Sequence, residues 1–125
     1  MKLPVIIICG PPRTGKSTIA RILSSRLGAT LISTEKFRRR VYKRLIKEVQ
    51  QKIGTDILVL DGTFYRETWR EKVRALAAKA GAPFLIVHLT AKPEILLERD
   101  RASTSPRGER AIKIICAEFE PVEAD

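Results

Sequence analysis

Cysteine, histidine and long hydrophobic runs are scarce in this sequence, and each scarcity excludes a class of protein. The 125 residues include two cysteines and one histidine, too few for a disulfide scaffold or for a zinc site with the usual ligands. The longest apolar run near the start, residues 3–9, is far shorter than the about 20 residues that span a bilayer. No export signal is visible, and we expect a cytoplasmic protein with free thiols and no membrane segment.

The composition is that of one soluble domain covering residues 1–125. Hydrophobic residues make up 44% of the chain and charged residues 30%, which excludes an extended disordered chain. The net charge is +10, and residues 36–52 alone carry eight Lys or Arg against one Glu. A surface of this kind favours polyanions such as nucleotides or nucleic acid as partners.

Short apolar runs alternate with amphipathic segments along the whole chain. The strands predicted from these runs are 3–9, 30–33, 57–60 and 83–89. The helices predicted from apolar spacing are 16–27, 35–51, 67–80, 93–101 and 109–119. This alternation predicts an open parallel α/β sheet of about four strands, with ligands at the carboxyl ends of the strands.

Three expectations concern burial. Strand 83–89 is apolar enough to be buried, which makes His88 a structural residue rather than a catalytic one. In helix 16–27, Ile19, Ile22, Leu23 and Leu27 fall at helical spacing, as on a packed face. The acidic tail 120–125 is expected to fray.

Residues 10–17, GPPRTGKS, match the phosphate-loop pattern G-x-x-x-x-G-K-[ST] between a predicted strand and a predicted helix. Such a loop points its backbone N–H groups at phosphates, while the lysine reaches the β- and γ-phosphates and the serine hydroxyl binds magnesium. The alternative is a tight Gly/Pro turn with a solvated lysine. The residues expected to bind the nucleotide are Gly10, Arg13, Thr14, Gly15, Lys16, Ser17 and Thr18.

Asp61 follows the apolar run 57–60 and is the second candidate magnesium ligand, with Ser17. An aspartate at the end of a strand next to a phosphate loop holds the metal directly or through water. The competing interpretation is an ordinary turn, since Asp61-Gly62 is a turn dipeptide.

Four segments together resemble the P-loop kinases. They are GPPRTGKST, ISTEKFRR, ILVLDGTFYRETWR and ERDRASTSPRGER, and the similarity covers residues 3–120. The branch it resembles includes phage-type polynucleotide kinase, the seryl-tRNA kinases and gluconate- or antibiotic-phosphorylating enzymes. The resemblance implies a P-loop NTPase three-layer α/β/α sandwich that uses ATP and Mg²⁺ for phosphoryl transfer.

The same resemblance assigns further roles. It places Glu35 as the base that accepts the proton of the attacking hydroxyl, with Asp61 as the other candidate; Glu35 is otherwise a first-turn helix acid. It also implies an arginine-bearing lid at about residues 99–110. In that lid, Arg101 and Arg107 would stabilise the transferred phosphoryl group and Arg99 would contact ATP, unless these are solvated arginines at helix ends.

The acceptor side is less defined by the sequence. The resemblance places the basic helix 36–52 there, which suits a small molecule or a 5′-hydroxyl nucleic-acid end, although a solvated helix explains the charge equally well. It also puts Arg66 and Arg70 beside the substrate, and Trp69 fits the core. A homodimer would help a core of this size. The competing functions are an ATP-dependent kinase, a nucleotide-gated nucleic-acid-binding domain and a regulatory ATPase.

Overall fold

The strands of the fold form one parallel sheet with the order β2-β3-β1-β4. The computed structural model describes residues 2–122, and within them it contains four strands and five α-helices. The strands are β1 (Val5–Cys9), β2 (Thr30–Ser33), β3 (Leu58–Asp61) and β4 (Phe84–His88). The helices are α1 (Lys16–Leu27), α2 (Val41–Lys52), α3 (Glu67–Ala80), α4 (Pro93–Arg101) and α5 (Glu109–Glu118).

Helices cover both faces of the sheet, as the side-chain alternation of the central strand requires. Along β1, Val5, Ile7 and Cys9 point into a cluster completed by α2 and α3. Ile6 and Ile8 point the other way, towards Ala20 of α1. The predicted three-layer α/β/α fold is therefore confirmed.

The strand register brings the candidate site residues to one edge of the sheet. Asp61 at the end of β3 pairs with Ile8 of β1 on one side and with Ser33 of β2 on the other. The loops that leave β1, β2 and β3 consequently begin side by side. Each carries candidate site residues, so the sheet gathers segments that are far apart in the sequence.

The helix predicted over 35–51 begins later, at Val41. Residues Thr34–Lys36 form a single 3-10 turn, which the Ser33 hydroxyl caps by accepting from the Glu35 amide at 3.4 Å. Arg38–Arg40 follow as three adjacent like charges, and Arg40 takes a left-handed conformation with φ 50°. Because a residue in this conformation cannot continue a right-handed helix, α2 begins directly after Arg40. The basic segment is therefore part loop and part helix.

Two expectations about burial are wrong. Strand β4 lies at the edge of the sheet, which leaves Leu85 54% exposed and His88 exposed. On α1 the buried residues are Ala20 and Ser24, whereas Ile22 is 51% exposed. Small side chains let α1 approach the sheet closely; Leu23 packs against the same cluster as Ala20, whereas Ile19, Ile22 and Leu27 are exposed.

The start of the acidic tail is docked rather than frayed. The Glu120 amide donates to Tyr65 O at 2.8 Å, and Val122 packs against the main core cluster. Residues 123–125 lie outside the described residues. Among the helices of residues 2–122, none has the length and apolar character needed to cross a bilayer.

Candidate active site

The loop between β1 and α1 has the geometry of an anion-binding loop. A Cβ atom at Gly10 would lie 2.3 Å from the Leu89 carbonyl oxygen, and the φ of Gly10 is 147°, so this position requires glycine. Gly15 precedes α1 with φ 93°, and the first turn of α1 contains no acidic side chain. The positive end of the helix and its free amides therefore face the loop without an intramolecular anion.

Lys16 lies folded over this loop. Its Nζ donates to Pro11 O at 3.1 Å, and the Thr14 hydroxyl donates to the same carbonyl at 2.9 Å. Burial lowers the pKa of Lys16, an effect that the negative charge of Asp61 opposes. An ammonium group that is partly stripped of water and held by one carbonyl is well placed to bind phosphate oxygens.

Ser17 and Asp61 meet as the sequence predicts for magnesium ligands. Ser17 Oγ donates to Asp61 Oδ2 at 3.0 Å, and Asp61 is 4% exposed. Burial raises the pKa of Asp61, while the Ser17 hydrogen bond and the charge of Lys16 oppose the rise. A hydroxyl and one carboxylate are hard oxygen donors, which suit Mg²⁺ when phosphate and water supply the other ligands. Residues 2–122 hold no cluster of three or more His, Cys, Asp or Glu that would suit other metals.

Three adjoining cavities surround the phosphate loop. The main cavity, about 430 Å³, lies between the loop and the first turn of α2 and is lined by Lys16, Asp61 and Tyr42 among others. The second, about 200 Å³, lies over Gly15 and Ser17. The third, about 510 Å³, lies on the outer side of the loop next to Thr18. Together they form a continuous series of openings around the phosphate loop, from the start of α2 to the outer side of α1.

Glu35 and Arg107 face each other across the first two cavities and line both of them. Arg107 Nη2 lies 3.5 Å from Glu35 Oε1, and the Glu35 side chain is 69% exposed. The two side chains therefore border the same space over the phosphate loop. Such an exposed pair is weak, so a phosphate can separate it.

The other lid arginines take different positions. Arg99 lines the outer cavity, and its Nη1 donates to Arg13 O at 2.9 Å. Arg101 is exposed at the end of α4 and is not among the described residues that line the three cavities; its charge acts instead on Glu109. Of Arg99, Arg101 and Arg107, it is Arg107 that lines the cavity containing Asp61.

Arg13 does more than line the loop. It adopts a left-handed conformation with φ 72°, and its Nε forms an ion pair with Asp100 Oδ1 at 3.0 Å. Its Nη2 also donates to Ser105 O at 2.9 Å. The phosphate loop is therefore tied to α4 and to the lid through one side chain.

The sequence reasoning missed Asp100, which is 2% exposed and lies between two arginines in the last turn of α4. No local signal distinguished it, because the same arginine-rich segment also contains the exposed carboxylates of Glu98 and Glu109. A hydrogen bond from the Arg107 backbone amide lowers the pKa of Asp100; burial opposes this, and Gly108 and Arg13 add to it.

Tyr42 is a second residue whose position the sequence left open. Its hydroxyl accepts from the Phe64 amide at 2.9 Å and lies 3.2 Å from Thr63 Oγ1. Burial raises the pKa of this hydroxyl, and its ring stacks on Trp69 at 5.4 Å. Tyr42 therefore orders the loop after β3, which forms one wall of the main cavity.

Arg66 and Arg70 do not flank the substrate as expected. Arg70 is 2% exposed, and it donates to Phe64 O at 2.7 Å and to two carbonyls in the C-terminal segment. Arg66 forms an ion pair with Glu118 at 3.1 Å. Arg70 lies on the buried face of α3, next to backbone carbonyls of the loop after β3 and of the segment after α5. These carbonyls need a donor, so packing and not a substrate determines the role of Arg70.

The parallel sheet, the phosphate loop and the paired Ser17 and Asp61 define a protein with the fold of the P-loop kinases. A family model described as an AAA domain matches residues 5–121, and the chain belongs to this family. The predicted resemblance to the P-loop kinases is confirmed.

Two solved structures share the fold closely. A gluconokinase from Sinorhizobium meliloti superposes with a TM-score of 0.75 at 14% identity, over 97% of this chain and 78% of that one. A sugar kinase from Janibacter sp. HTCC2649 gives 0.76 at 16% identity, over 98% and 81%. At these identities the likeness concerns the fold alone.

Among curated proteins, adenylate kinase 8 from Mus musculus is 30% identical over 119 residues. The match covers 78% of this chain and 25% of that protein. The rat protein of the same name is also 30% identical, over 122 residues. The chain thus spans about a quarter of the length of the curated relatives it matches.

Proposed function

We propose that this protein is an ATP- and Mg²⁺-dependent kinase that transfers the γ-phosphoryl group to a hydroxyl of a small molecule or of a nucleic-acid 5′ end. The observation that carries the proposal is the convergence of Lys16, Ser17, Asp61, Glu35 and Arg107 on one cavity of about 430 Å³. Phosphoryl transfer depends mainly on positioning and electrostatic stabilisation, and these side chains supply both.

Each residue has a role in the proposed reaction. The backbone amides of residues 13–17 and the Lys16 ammonium hold the β- and γ-phosphates; Pro11 and Pro12 have no N–H, and the Gly10 amide donates to Thr63 O. Ser17 and Asp61 would hold the metal ion, which when bound neutralises charge on the phosphate oxygens. Arg107 stabilises the charge on the phosphoryl group during transfer, because its guanidinium lines the same cavity.

Glu35 is the better candidate for the base. Its carboxylate is exposed to the cavity, whereas Asp61 is buried and already accepts the Ser17 hydroxyl. Glu35 also lines the same cavity as Lys16 and Arg107, the side chains proposed to hold the phosphoryl group. On the nucleoside side, Thr14, Thr18 and Arg99 line the outer cavity, where ATP would extend from the loop. Catalysis by Arg101 requires movement of the lid.

The acceptor side is bordered by a strongly basic groove of about 370 Å³. Arg39, Arg40, Lys43, Arg44 and Lys47 line it. Within residues 2–122 none of the five forms an ion pair, in contrast to Lys36 and Lys52, which both contact Glu48.

The groove and the main cavity are both lined by residues at the start of α2, on different faces of that helix. Val41 and Tyr42 line the cavity, while Arg40 and Lys43 line the groove. An acceptor whose hydroxyl lies in the cavity would have to extend around the start of α2 to place an anionic part on the groove. We propose that the acceptor carries such a part, as a nucleic-acid end or a phosphorylated metabolite does.

The decisive experiment is transfer of labelled γ-phosphate from ATP and magnesium to a 5′-hydroxyl oligonucleotide and to a panel of hydroxylated metabolites. We expect label on an acceptor, loss of transfer in Lys16→Ala, and a folded variant by circular dichroism. Transfer that persists in Lys16→Ala would contradict the proposed chemistry. Magnesium-dependent ATP binding without transfer to any acceptor would favour the nucleotide-gated binding domain instead.

The groove is tested with a charge-matched pair of double variants. Arg44→Ala/Lys47→Ala should raise KM for an anionic acceptor about tenfold or more at low salt, while KM for ATP stays unchanged. Arg26→Ala/Lys79→Ala removes two exposed cations from other helices and serves as the control. A polynucleotide acceptor that neutralises three cations should show a log–log salt slope of about −2. Equal effects of the two double variants would remove the groove from the acceptor site.

Two further aspects of the proposal concern the cell. Cys9 and Cys116 are free thiols, which suits the reducing cytoplasm we propose as its location. The exposed Ile19, Ile22 and Leu27 of α1 are consistent with the predicted homodimer, which sedimentation at several protein concentrations would test.

A further inference from the structure

We infer that Asp100 is a positioning residue, which fixes the lid backbone so that Arg107 reaches the phosphoryl site and which ties this lid to the phosphate loop. The inference rests on the proposed function. It begins with an unusual placement, because Asp100 is 2% exposed although it lies among exposed residues of an arginine-rich segment. A buried carboxylate requires compensating partners.

The partners of Asp100 come from two separate parts of the chain. Its Oδ1 accepts the Arg107 amide at 2.9 Å and its Oδ2 accepts the Gly108 amide at 2.9 Å. Its Oδ1 also accepts Arg13 Nε at 3.0 Å. One carboxylate therefore binds two consecutive amides of the lid and one guanidinium of the phosphate loop.

Further hydrogen bonds join the phosphate loop, α4 and the lid loop to one another. Arg13 donates to Ser105 O at 2.9 Å and accepts on its own carbonyl from Arg99 Nη1 at 2.9 Å. Since Arg99 and Asp100 are neighbours on α4, the phosphate loop is held by two adjacent residues of that helix. The lid loop from residue 102 to 108 is held at the same point. A shift of the phosphate loop on nucleotide binding would therefore be transmitted to the backbone of Arg107.

The chemistry requires a carboxylate at this position. Two oxygens are needed to accept three donors, and asparagine offers one oxygen and an NH₂ group that would face another donor. The hydrogen bond from the Arg107 amide, assisted by Gly108 and Arg13, keeps the pKa of Asp100 below its ordinary value. Asp100 thus stays ionised throughout the neutral range in which a kinase works.

Packing of α4 against α5 does not depend on this carboxylate. Leu96, Leu97 and Ile112 form an apolar cluster between the two helices, with Cys116 packed against it. Loss of Asp100 should therefore release the loop between the helices without separating them. This makes a positioning role distinguishable from a general structural one.

The kinetic test is a double-mutant cycle with Asp100→Asn and Arg107→Met. If Asp100 acts through Arg107, each single variant lowers kcat about tenfold or more, and the double variant falls no further than Arg107→Met alone. The Kd for ATP should change less than about threefold in Asp100→Asn, because the amides and Lys16 remain. Multiplicative effects of the two substitutions would overturn the inference. The control is Glu98→Gln, which removes an exposed carboxylate from the same helix.

Hydrogen exchange gives a readout that needs no activity. In Asp100→Asn the amides of Arg107 and Gly108 should exchange about tenfold faster or more, while the buried Ile112 region exchanges as in the parent protein. In Glu98→Gln neither should change. Unchanged exchange at Arg107 and Gly108 would overturn the inference. If the parent protein transfers no phosphate but the Arg107 and Gly108 amides still exchange faster in Asp100→Asn, the role of Asp100 is sustained and the proposed function is rejected.

Discussion

Arg70 is the residue whose replacement tests the structure most directly, because this buried cation is held by backbone carbonyls and, within residues 2–122, forms no ion pair with a carboxylate. Its guanidinium donates to Phe64 O at 2.7 Å, to Glu120 O at 3.0 Å and to Pro121 O at 2.9 Å. It thereby joins the loop after β3 to the segment that follows α5. We predict that Arg70→Met, which keeps most of the volume, destabilises the fold by uncoupling these two segments.

The size of the effect follows from the exposure of the three carbonyls. Phe64 is fully buried, so its carbonyl loses a charge-assisted bond without replacement by water, at a cost of about 2 kcal/mol. Glu120 and Pro121 lie near the surface, where water replaces most of what is lost, and their carbonyls add about 1 kcal/mol. The total of about 3 kcal/mol corresponds to a fall in Tm of about 10 °C, at about 4 °C per kcal/mol for a domain of this size.

The assay is thermal and urea unfolding followed by circular dichroism. Lys79→Met, on the exposed side of the same helix, is the matched control and should change stability by less than about 0.5 kcal/mol. Arg70→Lys keeps the charge but not the fork of donors, so its loss should be intermediate. A Tm for Arg70→Met within about 2 °C of the parent protein would show that this side chain does not hold the C-terminal segment.

Two further predictions concern the phosphate loop and its metal partner. Burial raises the pKa of Asp61, so the Asp61 carboxyl binds a proton more tightly in the native protein than in the unfolded chain. Ionisation of Asp61 therefore lowers the free energy of unfolding at neutral pH, and this loss disappears as the pH falls towards 4 and below. Asp61→Asn should therefore raise Tm at pH 7, with a gain that shrinks as the pH falls, while magnesium-dependent transfer is lost; a lower Tm at pH 7 would contradict this sign. Gly10→Ala should abolish ATP binding measured by calorimetry, since its Cβ would lie 2.3 Å from Leu89 O, whereas Gly54→Ala, where no atom lies within 4 Å of the added Cβ, should leave binding unchanged.

Local patterns were sufficient for most of the fold. Helices α1, α3 and α4 begin and end where apolar spacing and glycine or proline signals predict, because those signals act within a few residues. The phosphate loop followed from its own eight residues for the same reason. The helix start at Val41 was missed because local apolar spacing indicates neither the left-handed conformation of Arg40 nor the packing of Phe37 against the main core cluster.

Long-range partners account for what sequence reasoning did not find. Nothing in the segment around Asp100 indicates that its carboxylate turns inward to meet Arg13, 87 residues away in sequence. From the sequence, Arg70 was predicted to lie beside a substrate. In the structure it donates instead to the carbonyls of Glu120 and Pro121. In both cases the sequence offers many possible partners for the side chain. The packed fold decides which of them lie within hydrogen-bond distance.

The sequence by itself determined that this protein has a strand–loop–helix phosphate site, a parallel sheet and an acidic residue at the end of β3, because these depend on local patterns and on the handedness of crossovers. The tertiary structure alone decided which charges share a cavity. Lys16, Glu35, Asp61 and Arg107 lie on four segments of the chain and line one site. Asp100, Arg13 and Arg70 acquire their roles from burial and distance, which arise only when the layers of the fold pack together.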